Sequence, residues 1–239
     1  MRDWLTARPV AHRGLHDAAA GIVENSASAF RAAIAGNYAI ECDVQISADG
    51  EAMVHHDDAL GRLNEGSERL DTMTAAALRQ VAFRTTADRM LTLGELCDLV
   101  AGKVTLVVEM KCRFDGNLHI ARRTASVLSS YVGPAAAMSF DPALVAALRE
   151  AAPGIVRGLV AQNRDGASRG VSMPGYVRRA LAAHIEFLAY RVQDLPSTVP
   201  TIARRALGLP LLTWTVRSAE DRARASRYAD QIIFEGFRP

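Results

Sequence analysis

Apolar positions along this chain fall into short runs separated by longer stretches of helical spacing. Runs that read as strands lie at 9–12, 39–46, 51–56, 104–110, 135–139, 155–160, 186–190, 210–216 and 231–235. Helical spacing covers 25–36, 74–83, 92–101, 115–131, 141–151, 173–183, 197–207 and 218–228. Start signals precede several helices: Asn25 or Ser26, Thr92 with Glu95, Asp141 with Pro142, Pro196-Ser197, and Ser218 with Asp221. Gly36 and Gly208 read as stops.

One of the nine strands breaks the strand-then-helix order. Only Ser47-Ala48-Asp49-Gly50 separates 39–46 from 51–56, and a parallel crossover needs a dozen residues or more. The pair is therefore an antiparallel hairpin with Asp-Gly in its turn. Without the return arm, eight strands remain, each but the last followed by a helix. Eight such units in roughly 250 residues predict an α/β fold, the (β/α)8 TIM barrel. A small insertion, 57–95, follows the hairpin arm, and 1–239 reads as one domain. No eighth barrel helix is expected after the last strand, and the residues before Pro9 are expected to cover its place.

The hairpin carries the first chemistry. Ile40, Cys42, Val44 and Ile46 alternate with Glu41, Asp43 and Gln45, so the two carboxylates share one strand face. A turn centred on Ala48-Asp49 would place Glu41 opposite His56 and Asp43 opposite Val54. Barrel enzymes carry their reactive groups at the C-terminal ends of strands. Those ends hold His12-Arg13-Gly14, Glu41 with Asp43, Glu109 with Lys111, Ser139-Phe140-Asp141, and Trp214-Thr215. Three carboxylates at one mouth repel unless neutralised, and oxygen ligands suit Mg2+ or Ca2+, with Mn2+ also compatible. His12 and His56 then suit proton transfer, while Arg13 and Lys111 beside a cation suit an anionic phosphoryl group.

Each member has a plainer reading. A lone Glu or Asp on a strand is commonly a surface residue. Trp214 is either core or the wall of a pocket. Asp57 or Asp58 either caps a loop or holds His56 in one tautomer, a role assigned here to Asp57. His55 faces away from His56 as a packed polar residue, and His16, His119 and His184 sit in loop or helix contexts. The set outweighs its members because all would have to fall on one rim by accident.

Composition narrows the classes. Hydrophobic residues make up 49% of the 239, enough for a large core, and the formal net charge of +2 gives no field that favours nucleic acid or an anionic membrane. The 28 basic residues include only two lysines, Lys103 and Lys111. Arginine pairs such as Arg178-Arg179 and Arg204-Arg205 fall on helix faces. Cys42, Cys97 and Cys112 are odd in number and show no CxxC spacing, which predicts reduced thiols in a cytoplasmic protein. The first residues show no apolar leader segment and no run reaches membrane-spanning length, so a start near Met1 and no stable membrane insertion are expected.

In order along the chain come HRG at 12–14, EN at 24–25, ExD at 41–43, DG at 49–50, HD at 56–57 with Leu60 and Arg62, TLxEL at 92–96, ExK at 109–111, SFDP at 139–142 and WT at 214–215. This series resembles the glycerophosphodiester phosphodiesterase family over nearly the whole chain. The resemblance implies a metal-dependent barrel enzyme that hydrolyses small glycerophosphodiesters to sn-glycerol 3-phosphate and an alcohol. It implies Glu41, Asp43 and Glu109 as metal ligands, His12 and His56 as the acid/base pair, and Arg13 and Lys111 on the phosphate. Glu24 would support the metal or the adjacent loop. Departures are Val23 where the family has proline, Arg217 where an Asn follows the WT motif, and Phe234-Glu235 where the last strand usually reads Thr-Asp. They leave the metal and histidine set intact and bear on what the alcohol-side pocket can be expected to hold. Rival expectations are a related phosphodiesterase acting on lysophospholipids or a sphingolipid, and a non-catalytic barrel that binds a phosphodiester.

Overall fold

A computed structural model describes residues 3–163 and 173–239. Eight parallel strands close into a barrel in the order β1 (Val10–Ala11), β2 (Ala39–Ile46), β4 (Leu106–Met110), β5 (Ala135–Ser139), β6 (Val156–Ala161), β7 (Phe187–Arg191), β8 (Leu211–Val216) and β9 (Gln231–Phe234). β9 returns to β1 through Val10 opposite Ile233, which completes the ring. The remaining strand, β3 (Ala52–Val54), pairs antiparallel with the far end of β2.

Among the described residues, seven helices follow barrel strands: α1 (Ala27–Ala35), α3 (Leu93–Val100), α4 (His119–Ser129), α5 (Pro142–Ala151), α6 (Met173–Ala182), α7 (Thr198–Arg205) and α8 (Ala219–Tyr228). The short α2 (Ala75–Gln80) lies between β3 and α3. The sequence signals act as expected at most starts. Ser26, Asp141 and Ser218 cap α1, α5 and α8, and Thr92 forms a capping box with Glu95. Ser197 is the exception: it makes no cap bond, because its hydroxyl turns to Asn163 Oδ1 at 3.2 Å.

Strand side chains alternate between two apolar layers. Val10, Ala39, Val107, Ala136, Met138, Val160, Phe187, Ala189, Leu212 and Ile233 fill the barrel. Ile40, Cys42, Val44, Leu106, Val108 and Phe234 face the helices. The strands are buried on both sides, as continuous hydrophobic runs require. Gly158 makes room inside the barrel, since a Cβ there would stand 2.3 Å from the Phe187 ring. Cys42 and Cys97 are buried and Cys112 half-buried, all as free thiols. Burial pushes the Cys97 thiol up to about 12 and the Cys112 thiol up to about 11. None of the helices among the described residues is long and apolar enough to cross a membrane.

Two expectations are corrected. The hairpin register is Val44 to Val54, one residue from the expected pairing. The loop holds three residues: Ser47 N donates to Glu51 O at 2.9 Å, and Gly50 takes φ 83°. An odd loop moves the pairing by one, so Asp43 O meets His55 N at 3.0 Å and His56 lies past the paired arm. The residues before Pro9 also do not cover the outer side of β9. They close the N-terminal end of the barrel, with Leu5 packed into the interior layer. Thr105 donates to Trp4 O at 3.1 Å and Gln231 to Thr6 O at 2.8 Å. The uncovered outer side of β9 is filled by aromatic packing, Tyr38 and Phe237 each against Phe234 at 5.1 and 5.5 Å between ring centroids.

Leu5 is 1% exposed. Leu5→Ala should lower stability by about 2–5 kcal/mol in urea denaturation, whereas Val132→Ala, at 89% exposure, should stay within about 0.5 kcal/mol.

Candidate active site

Every candidate from the odd-numbered face of β2 and β4 arrives at the C-terminal mouth. Register places Asp43 beside Glu109. One oxygen from each of Glu41, Asp43 and Glu109 lies within 4.8 Å of the others, and all three side chains are buried. At that separation two bare carboxylates repel by roughly 3 kcal/mol at an effective dielectric near 20. Positive groups surround them accordingly. Lys111 Nζ sits 2.8 Å from Asp43 Oδ1 and 2.7 Å from Glu109 Oε1. Arg13 Nε lies 3.2 Å from Asp43 Oδ2, and Arg13 Nη1 lies 2.7 Å from Glu24 Oε1.

The turn after β1 is shaped for this. Arg13 takes φ 55°, which aims its backbone N–H at Glu41 Oε2, 2.9 Å away. Asn25, also at φ 55°, donates its side-chain amide to Asp43 Oδ2 at 2.9 Å and its backbone N–H to Arg13 O at 2.9 Å. Such backbone is costly for non-glycine residues and clusters at functional sites. Gly14, at φ 78°, lets the turn approach α1; a Cβ there would stand 2.9 Å from Ala29.

The electrostatics are unequal across the cluster. Burial pushes the Glu41 carboxyl well up, and Asp43 and Glu109 push it further. Burial acts the same way on Asp43, but Lys111 and then Arg13 outweigh it and hold that carboxyl below the usual range. Glu41 Oε1 is buried and accepts no hydrogen bond. A buried, unpartnered carboxylate oxygen facing two further carboxylates fits a hard divalent cation.

Two imidazoles lie beside the cluster. His12 Nδ1 meets Glu235 Oε2 at 2.5 Å, and its Nε2 stands 3.9 Å from Glu41 Oε2. Arg217 Nε holds the other Glu235 oxygen at 2.5 Å. His56 Nδ1 meets Asp57 Oδ1 at 2.7 Å, and Arg62 Nε holds Asp57 Oδ2 at 2.6 Å. Arg62 also reaches Glu24 Oε1 at 2.7 Å, which ties the segment after β3 to the HRG turn. Burial lowers the His56 imidazole, and Lys111 and Arg13 lower it further, against the pull of Asp43 and Asp57. The Arg62 and His56 hydrogen bonds bring the Asp57 carboxyl down to about 2 against a burial effect that raises it. His55 is buried and tied to Asn64 Oδ1 at 3.0 Å and Asp57 O at 2.9 Å, away from the cluster.

On the far rim, Trp214 packs edge-on against Phe140 at 5.5 Å between ring centroids and donates its indole N–H to Ala189 O at 3.1 Å. Ser139 and Asp141 do not join the site: Ser139 bonds Met110 O at 2.7 Å, and Asp141 caps α5. The chief residue missed from sequence is Glu235. Its position at the end of β9, two residues past the inward Ile233, is the signal that would have found it. His16 also comes near, 3.7 Å from Glu235 Oε2.

The fold and this mouth define a class: (β/α)8 barrels with an acidic, imidazole-flanked site at the C-terminal end of the strands. A model of the glycerophosphoryl diester phosphodiesterase family matches residues 12–234, and the chain belongs to that family. It is 31% identical over 168 residues to a Mycobacterium tuberculosis protein named "Probable glycerophosphodiester phosphodiesterase 1"; the match spans 60% of this chain and 60% of that relative. An Oleispira antarctica phosphodiesterase, solved in complex with the product sn-glycerol-3-phosphate, superposes with a TM-score of 0.79 at 20% identity over 97% of this chain and 94% of that one. A Thermotoga maritima glycerophosphodiester phosphodiesterase gives 0.73 at 24% identity over 95% and 94%. At these identities the likeness to solved structures establishes the shared fold.

Lys111→Met should destabilise the chelator-treated protein by about 3–5 kcal/mol, because it leaves two buried carboxylates without their cation; thermal melts should show Mg2+ restoring part of the loss. The Asp57 carboxyl moves from an ordinary 3.8 to about 2 on folding. Its stabilisation is complete above the unfolded value and lost as pH falls through the folded one. Asp57→Asn should therefore flatten the acid limb of the stability curve between about pH 4 and pH 2.

Proposed function

We propose that this protein hydrolyses small glycerophosphodiesters to sn-glycerol 3-phosphate and an alcohol, with one divalent cation held by Glu41, Asp43 and Glu109. The observation that carries this reading is the trio of buried carboxylates with one unpartnered oxygen, set beside two carboxylate-anchored imidazoles. Family membership supports the substrate class, as does the glycerol phosphate bound by the Oleispira relative. Mg2+ or Ca2+ suits the all-oxygen ligand set, and Mn2+ is compatible with it.

When bound, the cation would withdraw charge from the phosphoryl oxygens and balance the three carboxylates. The protein's own groups do the rest. Arg13 and Lys111, both largely buried beside the cluster, offer donors to the non-bridging oxygens. His12 and His56 act as the acid/base pair through Nε2, since each Nδ1 is committed to a carboxylate. One takes the proton from the attacking oxygen as the new P–O bond forms. The other gives its proton to the alcohol oxygen as the old P–O bond breaks. The same demand holds whether the attacking oxygen belongs to water or to the glycerol 2-hydroxyl. Asp57 positions His56, and Glu24 braces Arg13 and Arg62. Trp214 and Phe140 wall the alcohol side.

Release of glycerol 3-phosphate from glycerophosphocholine, abolished by EDTA, is the expected result; lysophosphatidylcholine should react far more slowly. Preference for the lysolipid, or full activity in EDTA, would overturn the reading. His12→Ala and His56→Ala should each lower kcat on the order of 10²–10⁴-fold with cation affinity, measured by calorimetry, nearly unchanged.

A further inference from the structure

We propose that Arg217 and Glu235 form a positioning pair that fixes the tautomer of His12. The proposal rests on His12 exchanging a proton through Nε2, as argued above. Glu235 lies at the end of β9, where the backbone N–H donates to Val216 O at 3.2 Å and holds the residue against β8. Its two oxygens are divided: Oε2 takes His12 Nδ1, and Oε1 takes Arg217 Nε. His12, Arg217 and Glu235 come from three neighbouring strand ends, β1, β8 and β9. An ionised carboxylate only accepts, so the contact requires a proton on Nδ1 and leaves Nε2 directed at the cluster.

Arg217 sets the direction of this device. A guanidinium only donates, so it takes an oxygen from either a Glu or an isosteric Gln at position 235. The Asp57–Arg62 pair holds His56 in the same manner. Both rings are thus set by a carboxylate whose second oxygen is locked by an arginine. The two departures at the last strands, Arg217 and Glu235, are one contact: a long cation and a long anion meet over His12.

The arrangement makes an unusual demand on a single isosteric change. In Glu235→Gln, Arg217 would claim the amide oxygen and turn the NH2 toward His12 Nδ1. The ring would then have to accept there and carry its proton on Nε2, the wrong tautomer. Removing Arg217 as well frees the amide to rotate and present its oxygen to His12. Glu235→Gln should therefore lower kcat on the order of 10²-fold or more with little change in KM, as loss of proton transfer does. The double variant Glu235→Gln/Arg217→Ala should be faster than Glu235→Gln, by roughly tenfold on the same scale. A purely structural contact predicts the reverse, since the second substitution removes a further partner. A double variant equal to or slower than the single one overturns the proposal.

A second measurement needs no variant and no turnover. Long-range 1H–15N correlation of the His12 ring in Mg2+-supplemented protein, at a pH where imidazole is neutral, should show the proton on Nδ1. A proton on Nε2 overturns the proposal. This result decides the tautomer even if glycerophosphodiesters are not hydrolysed, and it stands if the Glu235 variant fails to fold.

Discussion

The constraint on which the rest of this structure depends is charge. Three carboxylates are buried within 4.8 Å of one another, and removing them from water without compensation would cost several kcal/mol each. The strand geometry forces the problem: Glu41 and Asp43 lie two residues apart on one face, and the parallel register brings Glu109 alongside. The surroundings are arranged to answer it. Lys111 bridges two of the acids, Arg13 lies against Asp43, and backbone and amide N–H groups of Arg13 and Asn25 fill remaining acceptor positions. The left-handed backbone at Arg13 and Asn25 is the local cost of aiming those donors inward. One oxygen of Glu41 is left over.

A frame that holds such a cluster must not relax, and the barrel provides one. Its interior is packed from the Leu5 plug at the bottom upward through Val107, Met138, Phe187 and Leu212. Apolar packing at one end and polar side chains at the other come from the same alternation along the same strands. Stability and chemistry are thereby separated along the barrel axis. The segment after β3 is joined to the mouth by polar contacts: Gln45 Nε2 to His56 O at 2.9 Å, and Arg62 to Glu24. His56 consequently owes its place to a short bridge of charges as much as to the sheet.

The two histidines reach the cluster by different routes yet are anchored alike. His12 ends a barrel strand and takes its partner from the last one; His56 follows the hairpin arm and takes its partner from the next residue. Each leaves Nε2 available. The pairing of each carboxylate with an arginine, Arg217 or Arg62, orders the ring without placing a further free charge in the site.

Much of this was legible in the chain alone. Alternation with period two identified the inward acids on β2 and β4, because strand faces are fixed by local geometry. The four-residue gap at 47–50 excluded a parallel crossover and so isolated the hairpin. The HRG turn and Trp214 could be placed on barrel strands or at their ends by the same counting. The hairpin register escaped by one residue, since whether three or four residues form a loop depends on the φ of Gly50 and the Ser47–Glu51 bond. The role of the first residues escaped because Leu5 can serve equally as an outer cover or an inner plug until the barrel closes around it. Glu235 escaped because its partners are His12, 223 residues away, and Arg217, on a neighbouring strand end. What the sequence determined by itself was which side chains share a face, for that follows from backbone stereochemistry. What only the tertiary structure decided was which faces meet, for that follows from ring closure, where residues from opposite ends of the chain become hydrogen-bonded neighbours.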